Sequence, residues 1–180
     1  MSRLKAFALI AALAGGFSGV AGEETKPIPE FGATLSVAEL ARYVATPPTG
    51  AGLPPGGGDA VRGKAVYDAK CVACHGERLE GVKETGGAAL VGGRGTLATA
   101  KPVKTVESYW PYATTVFDYV KRAMPFNAPG SLANDEVYAV TAYILASGHV
   151  IPETMAIDAA SLPKVAMPNR DGFILDPRRQ

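Results

Sequence analysis

Cys71, Cys74 and His75 fall within five consecutive positions, in "KCVACHGE" (70–77), of a 180-residue chain that has two cysteines and two histidines in all. Three chemistries could use that crowding. A structural zinc site needs four ligands from Cys and His, so Cys71 and Cys74 would have to recruit both His75 and His149. His75, adjacent to Cys74, is poorly placed to share a tetrahedron with it. A redox dithiol wants its first thiol at a helix N-terminus, where the dipole favours a thiolate. Here a helical pattern runs into the cysteines from the N-terminal side, and no β-α-β pattern precedes them. The third chemistry is a covalent haem. Two thiols spaced by two residues add to the two vinyl groups on one porphyrin edge, and a histidine directly after the second supplies the proximal iron ligand. Cys-x-x-Cys-His is the attachment signature of c-type haem, and it uses every cysteine of this chain. The expected cofactor is one covalent haem c.

Iron has a second axial position. A methionine there makes an electron-transfer haem with a raised potential, whereas an open position admits a small ligand or substrate. Met124, Met155 and Met167 are the candidates beyond the first residue, and each could simply fill a gap in packing. Met124, in "RAMPFNAPGSL", comes 49 residues after His75. It lies between two expected helices, and Pro125 steers it into extended geometry. Met167, in "VAMPNRDG", shares the Met-Pro pair but lies beyond the last helix. His149 follows Gly148, where its plain role is that of a cation at a helix C-terminus. The axial pair is therefore expected to be His75 and Met124, with Met167, His149 and Met155 as alternatives.

These residues need elements to hold them. In "DAVRGKAVYDAKCVACH" Asp59 is a good N-cap, and Val61, Ala65 and Ala69 share a face, with Val66 beside them. Gly63, which costs about 1 kcal/mol in a helix interior relative to Ala, suggests that another backbone passes close by. A second helix is expected at "TTVFDYVKRA", capped by Thr114 or Thr115 and stopped before Pro125. A third is expected through "NDEVYAVTAYILAS", with Val137, Val140 and Ile144 on one stripe and Gly148 as the stop. Residues 76–112 read as loops folded over something, and 149–180 as an aperiodic tail lying on the core or fraying. Upstream, "FGATLSVAELARYV" could form a short helix, with Ser36 and Glu39 as a capping box. "ATPPTGAGLPPGGG" is a linker or an extended wrapping segment, since no helix or central strand tolerates it. The strand signal is slight, so the fold class is all-α: three main helices around one haem. A core of about 90 residues this rich in glycine needs a staple such as a cofactor.

The N-terminus reads as an address. Arg3 and Lys5, an apolar run over Ala6–Phe17 and small residues up to Val20-Ala21-Gly22 form the layout of a secretory signal peptide. The run is short of the roughly 20 apolar residues that span a bilayer, and no later segment is long and apolar enough to cross one. Losing residues 1–22 removes Arg3 and Lys5, so 18 basic residues become 16 against 17 acidic, a formal net charge of −1. No basic patch suited to nucleic acid is visible. The expected organisation is signal peptide 1–22, lead-in 23–58, haem domain 59–148 and tail 149–180.

From Asp59 to Gly148 the chain resembles a class I cytochrome c. The likeness rests on the helix with Gly63 and Tyr67, "CVACH", a loop with "LVGGRGT", a helix running into "AMPF", and the closing helix "DEVYAVTAYIL". It implies a fold in which the first and last helices cross at close quarters. It also implies thioether links at Cys71 and Cys74, axial ligands at His75 and Met124, and a haem propionate bonded by Arg94. Many members carry a proline two residues before the loop leucine, and its carbonyl holds the proximal histidine's ring N–H. The position here is Ala88, so a different carbonyl is expected to do that work.

A narrower likeness covers about Phe31 to Pro177. "GLPPGGGDAVRGKAVYDAKCVACHG", "KPVKTVESYWPYATTVFDYVKRAMPFNAPGSLANDEVYAVTAYIL" and "LPKVAMPNRDGF" are similar to the cytochrome subunits of bacterial Sox-type sulfite and sulfane dehydrogenases. It implies a periplasmic electron carrier, not itself an enzyme. Its donor would be a separate molybdenum-containing subunit, and its acceptor a downstream cytochrome or oxidase. The competing readings are a general soluble shuttle for another dehydrogenase, a haem enzyme or gas sensor with an open iron site, and a redox-dithiol protein.

Overall fold

The computed structural model describes residues 45–174 and 176–179. The signal peptide and the helix expected in 31–44 lie outside the described residues. Asp59 caps the first helix as its residue type predicts: its carboxylate accepts the Arg62 N–H at 2.8 Å, and α1 runs Ala60–Lys70. A single turn, α2, follows at Val72–His75. After a long loop come a second single turn, α3 (Val106–Tyr109), and the helices α4 (Ala113–Ala123) and α5 (Asn134–Ser147). Among the described residues no helix is long and apolar enough to cross a membrane.

The expected face of α1 is not the buried one. Val61 is 79% exposed, and Ala65 and Ala69 face solvent, while Ala60, Gly63 and Tyr67 are buried. Close approach of backbones selects the face. A Cβ on Gly63 would overlap the Ala139 carbonyl of α5, so the glycine must be the point of contact. Tyr67, one turn further on, then packs its ring on Tyr143 with centroids 5.2 Å apart.

Helix α5 is buried nearly all round, which a helix apolar on every side requires. Val137, Val140 and Ile144 are inside as expected, together with Tyr138, Thr141 and Leu145. Glu136 starts it by accepting the Ala133 N–H at 2.8 Å, and Gly148 ends it. Helix α4 packs alongside, its Phe117 ring 4.4 Å from that of Tyr138. Its cap is not a threonine: the helix begins after Tyr112, and Thr114 is turned into the core, where its hydroxyl has no hydrogen-bond partner among the described residues. The α4 stop is as expected, with Met124 extended at φ −121°, ψ 151° before Pro125. The α3 turn was not anticipated, although Thr105 and Ser108 cap it reciprocally. Thr105 N–H donates to Ser108 Oγ at 2.9 Å, and Ser108 N–H to Thr105 Oγ1 at 3.3 Å.

The Pro/Gly segment wraps α5. Tyr138 donates its hydroxyl to the Pro54 carbonyl at 2.8 Å, and Gly57 N–H donates to Asp135 Oδ1 at 3.0 Å. Gly57–Gly58 (β1) then pairs antiparallel with Ile157–Asp158 (β2) of the tail, Gly58 opposite Ile157. The core is therefore not confined to 59–148. Ile151, Ile157, Leu162, Val165 and Met167 are all buried in it. They lie in short segments with no helical or strand period, which a search for periodicity does not register.

Candidate functional site

Cys71 breaks the helix that leads to it. Its backbone leaves helical geometry (φ −124°, ψ −34°) while its N–H still donates to the Tyr67 carbonyl. The next turn closes on Cys71: its carbonyl accepts the N–H of Cys74 at 3.1 Å and of His75 at 2.9 Å. Gly76, at φ +80°, ends the turn in the region that favours glycine. Cys71 is half-buried, Cys74 exposed, and no disulfide joins them. Burial, and secondarily the neighbouring Cys74, pushes the Cys71 thiol up to about 11. A thiol so held is protonated at neutral pH, the opposite of what an attacking dithiol needs. Among the described residues no three His, Cys, Asp or Glu side chains gather to hold a metal ion.

His75 Nδ1 lies 2.7 Å from the Ala88 carbonyl oxygen. A carbonyl can only accept, so Nδ1 carries the proton and the lone pair is on Nε2, the tautomer that ligates metal through Nε2. The expectation that another carbonyl must replace the family's proline is thus corrected: Ala88's own carbonyl holds the ring. Every residue supplies that oxygen, and what a proline adds is backbone constraint. Here other contacts constrain the loop. Gly81 N–H donates to the His75 carbonyl at 2.7 Å, Val82 N–H to the Cys74 carbonyl at 3.0 Å, and Leu90 N–H to the Leu79 carbonyl at 2.8 Å. Gly87 passes so close to Cys74 that any side chain there would overlap its carbonyl.

Met124, half-buried, packs against the core at the end of α4. Met167 is 4% exposed and is a core residue of the tail; Met155 is half-buried, and His149 is exposed. Arg94 is already engaged by protein groups. Its Nη2 donates to the Gly148 carbonyl at 2.6 Å, and its Nε is 3.9 Å from Glu107. Glu107 is buried, and its Oε1 accepts the Gly92 N–H at 2.7 Å. Sequence reasoning missed Glu107, an acidic residue in an aperiodic stretch with no local signal for burial. The donor set nonetheless fits a haem c: two free thiols on one turn, an imidazole nitrogen with its lone pair available, and a half-buried thioether. Half-buried Val72, Leu90 and Val91 adjoin the core and offer apolar surface.

Comparison with known proteins agrees with this geometry. Residues 60–147 match the family Cytochrome c. The crystal structure of the sulfane dehydrogenase SoxCD from Paracoccus pantotrophus aligns with a TM-score of 0.74 at 38% identity, over 83% of this chain and 73% of that one. A thiosulfate dehydrogenase from Stutzerimonas stutzeri (strain A1501) is 26% identical over 116 residues, 63% of this chain and 35% of that protein. The chain thus spans about a third of the length of that curated relative.

Proposed function

The chain belongs to the cytochrome c family, and on that premise we propose that it is a periplasmic single-haem electron carrier serving a molybdenum-containing sulfite or sulfane dehydrogenase. Membership brings a covalently bound haem c, whose iron accepts and releases one electron at a time. In this reading Cys71 and Cys74 hold the group by thioethers, and His75 Nε2 and the Met124 thioether take the two axial positions.

The observation that carries the reading is the bond from His75 Nδ1–H to the Ala88 carbonyl. It selects the tautomer and orients the ring, which a permanent axial ligand needs and an incidental surface histidine does not. Arg94 keeps guanidinium N–H groups beyond the one given to Gly148, and these are available to a propionate. The dehydrogenase assignment is supported by the 38% identity to SoxCD across most of both chains. Export is supported by the layout of residues 1–22.

The test is kinetic. Mixed with its own molybdenum dehydrogenase and sulfite or a sulfane-sulfur donor, the oxidised cytochrome should be reduced within a catalytic turnover. If that enzyme reduces an unrelated cytochrome as fast as this one or faster, the partner assignment fails and a general shuttle replaces it. A reduced spectrum that shifts under carbon monoxide would instead favour an open iron site.

A further inference from the structure

Tyr67 touches the attachment segment at both ends. Its backbone carbonyl accepts the N–H of Cys71 at 2.8 Å. Its side chain extends along the same segment, and its hydroxyl donates to the carbonyl of Gly76, the residue after His75, at 2.6 Å. Packing of the ring against α5 calls for an aromatic residue at this position but not for the hydroxyl.

We propose that Tyr67 is a positioning residue for His75: its hydroxyl anchors the backbone on the far side of the histidine and so sets the plane of the ring. The proposal rests on the reading of His75 as the axial ligand. The anchor comes from a rigid place. Tyr67 is 0% exposed, and its ring leans on Tyr143 of α5, so the hydroxyl is delivered from the interface of α1 and α5 and not from a loop.

The carbonyl it holds has little else. Gly76 is buried, and among the described residues its oxygen otherwise accepts just the Leu79 N–H, at a long 3.3 Å. Removing the phenol oxygen leaves a buried acceptor poorly satisfied, which segments relieve by moving. His75 is then gripped at its ring by Ala88, at its own carbonyl by Gly81 and at its N–H by the Cys71 carbonyl. The first two grips belong to the loop 81–88, and the third lies within the attachment turn, which hangs on the Tyr67 carbonyl through Cys71. Tyr67 is the tether that ties the histidine to the helical core. Partners of this kind, one bond removed from the ligand, orient it and tune the metal.

The experiment is Tyr67→Phe in the haem-loaded protein, which keeps the ring and removes one oxygen. The result expected is intact haem attachment, a rearranged pattern of haem-methyl shifts in the proton NMR spectrum of the oxidised state, which reports the axial ring plane, and a shifted reduction potential. Tyr143→Leu is the comparison: it removes ring packing while leaving the hydroxyl bond, and should lower thermal stability without moving the methyl pattern. A Tyr67→Phe protein that is less stable but keeps both the methyl pattern and the potential would overturn the proposal, leaving Tyr67 a packing residue. Should Tyr67→Phe not accumulate, the wild-type hydroxyl proton decides: slow exchange with a contact to Gly76 supports the tether, and exchange at the rate of bulk water overturns it. Failure of His75 as the ligand would show separately, as a wild-type spectrum without proximal-histidine ring resonances.

Discussion

Gly63 of α1 and Ala139 of α5 meet backbone to backbone, with no room between them for a single methyl group. Two effects compete in Gly63→Ala. Helix propensity favours alanine by about 1 kcal/mol, whereas overpacking typically costs about 1–3 kcal/mol. Because the obstacle is a carbonyl and not a movable side-chain tip, the overlap dominates. Denaturant unfolding of the haem-loaded protein should show a net loss of up to about 2 kcal/mol; a gain would mean that the helices do not cross at this glycine.

Covalent attachment predicts that the mature protein exceeds its chain mass by one haem, and that the haem survives acid denaturation. Cys71→Ala combined with Cys74→Ala should abolish colour. Wild-type protein made alongside haem-attachment machinery and found colourless would remove the basis of the functional reading.

The methionines separate by their surroundings. Met124→Ala should abolish the weak sulfur-to-iron charge-transfer band of the oxidised protein. Met167→Ala should keep the band yet cost about 2–5 kcal/mol, the range for emptying a buried site, because Met167 is 4% exposed in the core. The reverse pattern would move the ligand to the tail.

Asp118 predicts a pH dependence. Burial alone would raise its carboxyl, but the Arg122 guanidinium and the Thr46 N–H, the latter at 2.9 Å, together hold it below the usual carboxylate range. A folded-state value below the unfolded one stabilises the fold fully above the unfolded value of about 3.9, and that contribution is lost as pH falls through the folded value. Melting temperatures of wild type and Asp118→Asn should therefore differ at neutral pH and converge in strong acid. A constant gap down to the acid limit would contradict the pairing.

What the sequence determined by itself was local. The attachment motif spans five residues, and the bonds that close its turn lie within it or reach just the next residue, Gly76. The Asp59 cap and the Gly148 stop act within one helical turn, and the α5 stripe repeats along one stretch of chain. What only the tertiary structure decided depends on atoms far away in sequence. The buried face of α1 follows from the contact of Gly63 with α5, which overrides the aliphatic stripe that includes Val61. Ile157 of the tail is buried because β2 pairs with β1 and lies against α5, and Leu162 because its turn packs on α4. Arg94 reaches a carbonyl 54 positions away. The partner of His75 is a backbone oxygen of Ala88, and no residue type announces such a contact, because every residue carries the same carbonyl and only the path of the chain brings this one to the ring.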